Sequence, residues 1–502
     1  MEKRQILINA IMSVVQVVVI GGVIFTLYRF LLNTIGVEQL GVWSVVLATS
    51  SVASVANLGL SASVVKFVAK YLARGEEETV AGVIQTSAIS IGILVGLVLL
   101  IAYPFANWLL SLIMPVTNIK QACSILPYAL LSLWIMVIAS VFLAGIDGYQ
   151  RIDLRSMLLI AVAIIHLILC FVLVPTYRLM GLAYAQVAQT CLVLIGSWLI
   201  LKRQLLILPA VPYRWNRKLF REMVGYGLNF QVISISQMLY DPITKALLTK
   251  FGGLAMVGFY EMASRMILQL RALLVNANQV LVPTIADLQE NNQEIIRKVY
   301  KDSYRLLLYI ALPIFSAIIA FTPLISQVWI GHYENIFVFF SILLVIGWFL
   351  NTLTVPAYFA NLGIGELRWN TISHLTIAAL NLGLGLLLGS IYGGPAVVVA
   401  WVFSLIIGSI IIPISYHNRH KISGIELLPK ENAPVGFASI IGIFSSLLIY
   451  HQLYSKLTPL VMGATLVLIF FFIFWIPIWV HPMRKHLMRW VTDELLKRPS
   501  GA

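Results

Sequence analysis

The sequence predicts an all-α integral membrane protein with about fourteen transmembrane helices, arranged as two pseudo-symmetric six-helix halves followed by two C-terminal helices. Of its 502 residues, 60% are hydrophobic and only 11% are charged, whereas soluble domains usually carry about 25% charged residues. The mean hydropathy of +0.93 is too high for a soluble chain of this length, because a water-exposed surface would require many more polar side chains. We therefore expect lipid to cover much of the protein surface.

Apolar runs of membrane-spanning length account for the predicted helices. A helix needs about 20 mostly apolar residues to cross a bilayer. The runs cover residues 6–32, 40–65, 80–103, 122–145, 156–176, 181–201, 224–249, 254–282, 304–330, 336–362, 371–391, 395–415, 434–453 and 459–480. The first run is longer than the apolar core of a cleavable signal peptide, so we expect it to be retained as a membrane helix.

The distribution of basic residues predicts the orientation of these helices. Most of the 34 lysines and arginines fall in alternate loops and in the two terminal segments. The positive-inside rule places these segments in the cytoplasm, so we expect a multi-pass protein with both termini cytoplasmic. The net charge of +14 is spread over many short loops and does not form one stripe, which favours contact with anionic lipid headgroups and argues against nucleic acid.

Local matches at a shared offset indicate two related halves. Arg29-Phe-Leu-Leu parallels Lys245-Ala-Leu-Leu, and the two basic residues lie 216 positions apart (245 − 29). Six spans in each half would give both halves the same orientation, so we expect the axis relating them to run along the membrane normal. The predicted organisation is an N-lobe (1–203), a cytoplasmic linker (204–223), a C-lobe (224–420), a second cytoplasmic linker (421–433), helices 13 and 14 (434–480) and a basic cytoplasmic tail (481–502).

Six ionisable side chains within the predicted spans are the strongest candidates for function. A charge at bilayer depth costs at least ~2.5 kcal/mol on insertion scales, so such a residue needs a specific role. They are Arg29, Asp241, Lys245, Glu261, Arg265 and Arg271. Asp241 and Lys245 are four residues apart on one predicted helix. Glu261 and Arg265 repeat this spacing on the next helix, so each pair should share a helix face.

The surplus of positive charge in this set predicts a cationic cavity for a phosphate-bearing substrate, because ammonium and guanidinium groups bind phosphate oxygens strongly. The predicted substrate-binding residues are Arg29, Lys245, Arg265 and Arg271. The acids Asp241 and Glu261 are candidates for coupling transport to H⁺ or Na⁺. Pro242 follows Asp241 directly and predicts a break in the helix there.

Uncharged polar side chains are expected to line the same cavity. They are Ser54, Asn57, Gln237, Asn276 and Gln279. An alternative interpretation remains open for the charged set: Asp241 and Glu261 could pair with Lys245 and Arg265 and only lock two helices together. That interpretation leaves the surplus positive charge unexplained.

Motifs for nucleotides and metals are missing from the sequence. It contains no G-x-x-x-x-G-K-[ST] phosphate loop, and its three cysteines lack metal-binding spacing. We therefore expect no cofactor and no metal, and transport that draws on an H⁺, Na⁺ or substrate gradient.

Five segments carry a resemblance to a known family. They are Leu40-Gly-Val-Trp, Asn57-Leu-Gly-Leu-Ser, Val257-Gly-Phe-Tyr-Glu-Met-Ala, Asn361-Leu-Gly and Tyr392-Gly-Gly-Pro-Ala. With them the chain resembles the polysaccharide transporter family of Wzx-type flippases, in the multidrug/oligosaccharidyl-lipid/polysaccharide (MOP) exporter superfamily. The resemblance covers nearly the whole chain and implies a MATE-like fold of two six-helix lobes around a central cavity.

The resemblance also implies a function. Such a protein flips an undecaprenyl-pyrophosphate-linked oligosaccharide from the cytoplasmic to the outer leaflet of a bacterial inner membrane, by alternating access of its two lobes. The product serves synthesis of a surface polysaccharide such as the O-antigen of lipopolysaccharide. The implied partners are the lipid-linked oligosaccharide, membrane lipids, and the polysaccharide polymerase and glycosyltransferases.

Three other functions compete with this interpretation. A drug or cation antiporter of the MATE type would be expected to have an acidic or aromatic cavity, whereas the buried set has more basic than acidic residues. A membrane-bound polysaccharide polymerase or ligase would need a large outer loop with catalytic residues, but the longest outer loop, about 104–121, has Lys120 as its sole charged residue. A structural scaffold leaves the buried charges unexplained. We therefore expect a transporter and not an enzyme.

Overall fold

The computed structural model describes residues 3–52, 60–279, 281–291, 293–423, 426 and 430–484. Within these ranges every regular element is a helix, which confirms the all-α fold class. The α-helices are α1 (Lys3–Thr34), α2 (Val37–Ser51), α3 (Leu60–Leu72), α4 (Glu77–Ile113), α5 (Val116–Gly148), α6 (Ile152–Gln204), α7 (Arg217–Gly252), α8 (Leu254–Asn278), α9 (Leu281–Asn291), α10 (Gln293–Ile330), α11 (Asn335–Thr352), α12 (Val355–Ile364), α13 (Arg368–Tyr392), α14 (Gly394–His420), α15 (Ala433–Leu453) and α16 (Pro459–Val480).

Ten helical segments in the described ranges are long and apolar enough to cross a membrane. They are Ile11–Thr34, Glu77–Ile113, Val116–Gly148, Ile152–Gln204, Ile295–Ile330, Asn335–Ile364, Arg368–Tyr392, Gly394–His420, Lys430–Leu453 and Pro459–Val480. The chain is thus a multi-pass membrane protein, whereas the count of fourteen spans stays a prediction. Helices α7 and α8 do not belong to this group, because polar and charged side chains interrupt their apolar runs.

Helix α6 covers two predicted spans and is sharply kinked between them. Its backbone leaves the helical region at Arg178, where φ is 53° and ψ is −130°. Val162 before this point and Val193 after it pack together in one apolar cluster with α5. The two arms of α6 therefore lie side by side, as the predicted spans 156–176 and 181–201 require.

Backbone packing divides the chain into two compact units. Unit 1 comprises Met1–Glu261 and Asn381–Val397, and unit 2 comprises Met262–Leu380 and Val398–Ala502. The predicted lobes at 1–203 and 224–420 stay a prediction. In unit 1, α5 packs against both arms of α6, and α7 packs against α2, α3 and α4.

In unit 2, α10 is the helix on which the two C-terminal helices pack. Both α15 and α16 contact α10 and each other. Their shared apolar cluster includes Tyr309, Ala320, Val435, Ala438, Phe470 and Phe474. The Tyr309 hydroxyl also donates a hydrogen bond to the carbonyl of Ile478 at 3.1 Å, so this packing combines apolar burial with a polar contact.

Candidate functional site

Unit 1 contains a buried ionic cluster formed by three of the predicted residues. The Lys245 Nζ atom lies 2.5 Å from Asp241 Oδ2 and 2.7 Å from Glu261 Oε2. The side chains of Lys245 and Glu261 are only 2% and 4% exposed, whereas that of Asp241 is 47% exposed. The predicted pairing of Asp241 with Lys245 is therefore present, and Lys245 also reaches across to the acid on α8.

Glu261 joins this cluster to two further helices. The Tyr28 hydroxyl on α1 donates to Glu261 Oε1 at 3.0 Å, and the Ser44 hydroxyl on α2 donates to Oε2 at 3.0 Å. Hydrogen bonds to an ionised carboxylate are roughly twice as strong as neutral ones. One carboxylate thus connects α1, α2, α7 and α8.

Two glycines allow α2 and α8 to approach closely enough for this contact. A Cβ atom on Gly41 would lie 2.1 Å from the carbonyl oxygen of Leu254, and one on Gly258 would lie 2.5 Å from that of Val37. Ser44 and Glu261 each follow one of these glycines by three residues, which places them one turn further along the same contact. The glycines therefore position the hydroxyl opposite the carboxylate.

The ammonium of Lys245 contacts two carboxylates at once. In this geometry Lys245 pairs with acidic side chains, as expected from the alternative interpretation in which the charged residues only lock helices together. The assignment of Lys245 to phosphate binding stays a prediction. The half-exposed Asp241 carboxylate is the part of the cluster that solvent reaches.

The structure corrects the prediction of a broken helix at Asp241. Helix α7 continues without interruption through Pro242, so that prediction was wrong. Asn381 supports the segment from α13: its Nδ2 donates to the Tyr240 carbonyl at 3.2 Å and to Thr244 Oγ1 at 3.0 Å. Packing against a neighbouring helix outweighs the local preference of the residue that precedes proline.

Unit 2 contains a different kind of site around Arg271. Its Nη2 atom donates to Asn351 Oδ1 at 2.6 Å, and its guanidinium carbon lies 4.6 Å from the ring centroid of Trp348. Asn351 is fixed in turn, because its Nδ2 donates to Ser409 Oγ at 2.7 Å. The side chains that hold Arg271 come from α11, which α14 braces.

The charge of Arg271 has no carboxylate to match it in the described part of the chain. Its partners there are an amide and an aromatic ring, and its buried Nε has no hydrogen-bond partner. A buried charge without an opposite charge is costly. An anion that enters the site would relieve this cost, so the arrangement is suited to anion binding.

The structure places the remaining predicted residues more simply. Arg29 on α1 and Arg265 on α8 have exposed side chains, as does Gln237 on α7. Asn276 and Gln279 are exposed and lie 3.4 Å apart through Gln279 Nε2 and Asn276 Oδ1. Ser54 and Asn57 lie outside the described residues. The structure therefore brings together Asp241, Lys245 and Glu261 in unit 1 and gives Arg271 its own surroundings in unit 2.

Sequence reasoning missed the residues that hold these charged groups. Asn351 carried a usable signal, because it is an amide inside an apolar predicted span and Trp348 precedes it by three residues on the same helix face. Tyr28 and Ser44 carried no such signal in the sequence, because a hydroxyl side chain in an apolar helix often forms a hydrogen bond only with the backbone of its own helix. Within the described residues no group of three or more His, Cys, Asp or Glu side chains could hold a metal ion.

Comparison with known proteins gives one family and one fold. A family model described as "Polysaccharide biosynthesis protein" matches residues 6–289. The chain is 22% identical over 392 residues to a Shigella flexneri protein named "Putative O-antigen transporter", an alignment that covers 76% of this chain and 91% of that protein.

Solved structures share the fold at low sequence identity. A lipid II flippase, MurJ, in an inward closed conformation has a TM-score of 0.70 and 14% identity, covering 98% of this chain and 100% of that one. An inward-facing multidrug resistance transporter of the MATE family in the MOP superfamily has a TM-score of 0.69 and 15% identity, covering 80% and 94%. The fold is therefore that of MOP superfamily transporters.

Proposed function

Because the chain belongs to the polysaccharide biosynthesis protein family, we propose that it is a secondary transporter of a lipid-linked oligosaccharide. It flips an undecaprenyl-pyrophosphate-linked oligosaccharide from the cytoplasmic to the outer leaflet of a bacterial inner membrane, by alternating access of two lobes. The fold shared with transporters and the many membrane-spanning helices support a transport function. No catalytic residue is required by this proposal.

The observation that carries the proposal is the half-buried guanidinium of Arg271, whose Nε atom is fully buried. A pyrophosphate supplies the negative charge that the described surroundings of Arg271 lack. Arginine binds phosphate through parallel N–H donors, and the contacts with Asn351 and Trp348 hold the guanidinium plane in a fixed orientation. A cationic drug would be repelled from the same position.

Further cations are proposed to bind phosphate groups of the substrate. Arg29 in unit 1 and Arg265 in unit 2 are both exposed, and each is assigned to phosphate binding. Lys245 is assigned to phosphate binding as well, on the condition that its carboxylate partners release it during transport. Such an exchange would link substrate binding to the state of the ionic cluster.

The ionic cluster is the proposed coupling site. Asp241 is half-exposed while its partner Lys245 is buried, so a proton or Na⁺ that arrives from solvent meets Asp241 first. Neutralising this carboxylate would weaken its hold on the Lys245 ammonium. Cation binding at Asp241 and Glu261 would thereby alter the helix contacts that Glu261 makes.

One observation favours a second function, exchange of organic cations. The cluster in unit 1 contains two carboxylates, and that of Asp241 is open to solvent. An acidic site of this kind could attract a cationic drug. The unmatched Arg271 in unit 2 argues for the flippase instead.

Reconstitution into proteoliposomes tests the proposal. With an H⁺ or Na⁺ gradient, we expect the protein to accelerate leaflet exchange of a fluorescent undecaprenyl-pyrophosphate-linked oligosaccharide. We expect no accumulation of ethidium in the same proteoliposomes. Gradient-driven ethidium transport without movement of the lipid would establish the antiporter and refute the flippase.

Substitution of Arg271 tests the observation on which the proposal depends. Arg271→Gln should lower the rate of lipid exchange about tenfold or more, because a hydrogen bond to a charged group is worth ~1.5–3 kcal/mol. Arg271→Lys keeps the charge but loses the forked geometry, so it should retain intermediate activity. Arg221→Gln, at an exposed position on α7, is the matched control and should behave as the wild type. Full activity of Arg271→Gln would contradict the assignment.

A further inference from the structure

A pocket lined by both polar and aliphatic side chains lies within unit 1, between α2, α5 and both arms of α6. Its volume of about 250 Å³ is far larger than a single water molecule requires. The polar side chains that line it are Ser50, Ser51, Ser132, Gln186, Gln189 and Thr190. None of the described lining residues is charged, so the pocket differs in chemistry from the ionic cluster and from the Arg271 site.

Two hydroxyl groups of the pocket donate to carbonyls of their own helix and can still act as hydrogen-bond acceptors. Ser50 Oγ donates to the carbonyl of Val46 at 2.7 Å, and Thr190 Oγ1 donates to that of Val187 at 2.9 Å. Their oxygen lone pairs remain available. Ser132 Oγ is buried and has no hydrogen-bond partner among the described residues. A buried hydroxyl in this state indicates that a ligand or water completes its bonding.

Two glutamine side chains supply the hydrogen-bond donors. Gln186 and Gln189 are three residues apart on the second arm of α6 and so share one helix face. Each amide offers two N–H donors and one acceptor, and neither has a hydrogen-bond partner in the part of the chain that the structure describes. Both side chains are half-buried, so a ligand can reach them. Leu133, Met136 and Leu159 add aliphatic surface.

We propose that this pocket binds an uncharged sugar ring of the lipid-linked oligosaccharide, an inference that rests on the proposed function. A pyranose ring carries hydroxyl groups around its edge and C–H groups on its faces. The hydroxyls donate to Ser50, Ser132 and Thr190 and accept from the two glutamine amides, while the C–H faces contact the aliphatic side chains. Neither a phosphate nor a metal cation finds an opposite charge among the described lining residues.

The pocket and the ionic cluster both involve residues of α2. Ser50 follows Ser44 by six residues on α2, a distance of about 9 Å along the helix, and Ser44 is the residue that donates to Glu261. A sugar held beside Ser50 therefore lies on the helix that the coupling carboxylate contacts.

Binding measurements in lipid nanodiscs test the sugar pocket. The two probes are undecaprenyl-pyrophosphate-linked oligosaccharide purified from the native host and synthetic undecaprenyl pyrophosphate, which has no sugar. The wild type should prefer the glycosylated lipid about tenfold or more, equal to 1.4 kcal/mol. Gln186→Leu/Gln189→Leu should remove this preference and leave the affinity for undecaprenyl pyrophosphate unchanged.

Two further variants distinguish a loss of sugar binding from a loss of folding. Ser132→Ala removes a hydroxyl that has no described partner, so it should keep the wild-type melting temperature and lower the preference severalfold. Gln204→Leu is the matched control, because it lies on the same arm of α6, about 22 Å beyond Gln189 along the helix. It should leave both affinities unchanged.

The outcomes separate this inference from the proposed function. Three results would overturn the sugar pocket. The wild type could bind both lipids with equal affinity, the glutamine variants could keep the preference for the glycosylated lipid, or the variants could lower the affinity for both lipids alike. A wild type that binds neither lipid would contradict the proposed function itself.

Discussion

At the scale of single residues, the contacts of Lys245 differ in energetic weight. The ammonium and Glu261 are both almost fully buried, whereas Asp241 is half-exposed. Solvent reaches the Asp241 side of the first contact and screens it in part, so this half-exposed pair should contribute less than the buried one. The contact with Glu261 lies away from solvent, and the loss of one partner there leaves an unmatched buried charge.

Lys245→Met should therefore destabilise the protein by about 3–5 kcal/mol, because it leaves the Glu261 carboxylate buried without its cation. The double variant Lys245→Met/Glu261→Gln removes both charges and should recover part of this loss. Asp241→Asn should cost less than about 1 kcal/mol. Thermal unfolding of the purified protein in detergent measures these differences.

Lys250→Met is the matched control for this series, since Lys250 is an exposed lysine near the end of the same helix. Its unfolding temperature should stay at the wild-type value. An equal loss of stability in Asp241→Asn and Lys245→Met would show that the exposed contact, and not the buried one, holds the helices together.

At the scale of helices, the close approach of α2 and α8 brings the Ser44 hydroxyl to the Glu261 carboxylate. Gly41 and Gly258 each face a backbone carbonyl of the other helix. Backbone atoms cannot move aside as the end of a flexible side chain can, so a larger residue forces the helices apart. The hydrogen bond from Ser44 to Glu261 depends on this spacing.

Gly41→Ala should cost about 1–3 kcal/mol of stability and impair flipping, because the added methyl group would lie 2.1 Å from the Leu254 carbonyl oxygen. Gly22→Ala on α1 is the control, since its Cβ would meet nothing within 4 Å, and alanine should stabilise the helix by up to about 1 kcal/mol. Unfolding temperature and lipid exchange are measured for both. Wild-type behaviour of Gly41→Ala would contradict the role given to this helix contact.

The sequence predicted those features that depend on local pattern. The apolar runs predicted the two arms of α6 and the C-terminal helices α15 and α16. The four-residue spacing of Asp241 and Lys245 predicted the contact between them. The contact between Lys245 and Glu261 was not predicted, because it joins α7 to α8 and depends on tertiary packing that no spacing along the chain encodes. Pro242 was misjudged for the same reason: neighbouring helices support α7 across a residue that would break an isolated helix.

At the scale of the whole molecule, the orientation in the membrane follows from the placement of charge. Transfer of basic loops across the membrane is unfavourable, and lysines and arginines in short loops dominate this effect. The segment around Glu76 lies close to Lys70 and Arg74, whereas the segment around Thr117 has only Lys120 nearby. These two segments are separated by α4 alone, so they should lie on opposite sides.

Single cysteines test this orientation directly. In a variant whose Cys123, Cys170 and Cys191 are replaced by serine, we expect a membrane-impermeant maleimide added to intact spheroplasts to label Thr117→Cys. It should label Glu76→Cys only after the membrane is permeabilised. Both positions are exposed, so a difference in labelling reports the side of the membrane and not burial. Labelling of Glu76→Cys in intact spheroplasts would show the opposite orientation, and would thereby imply the opposite direction of movement for the proposed substrate.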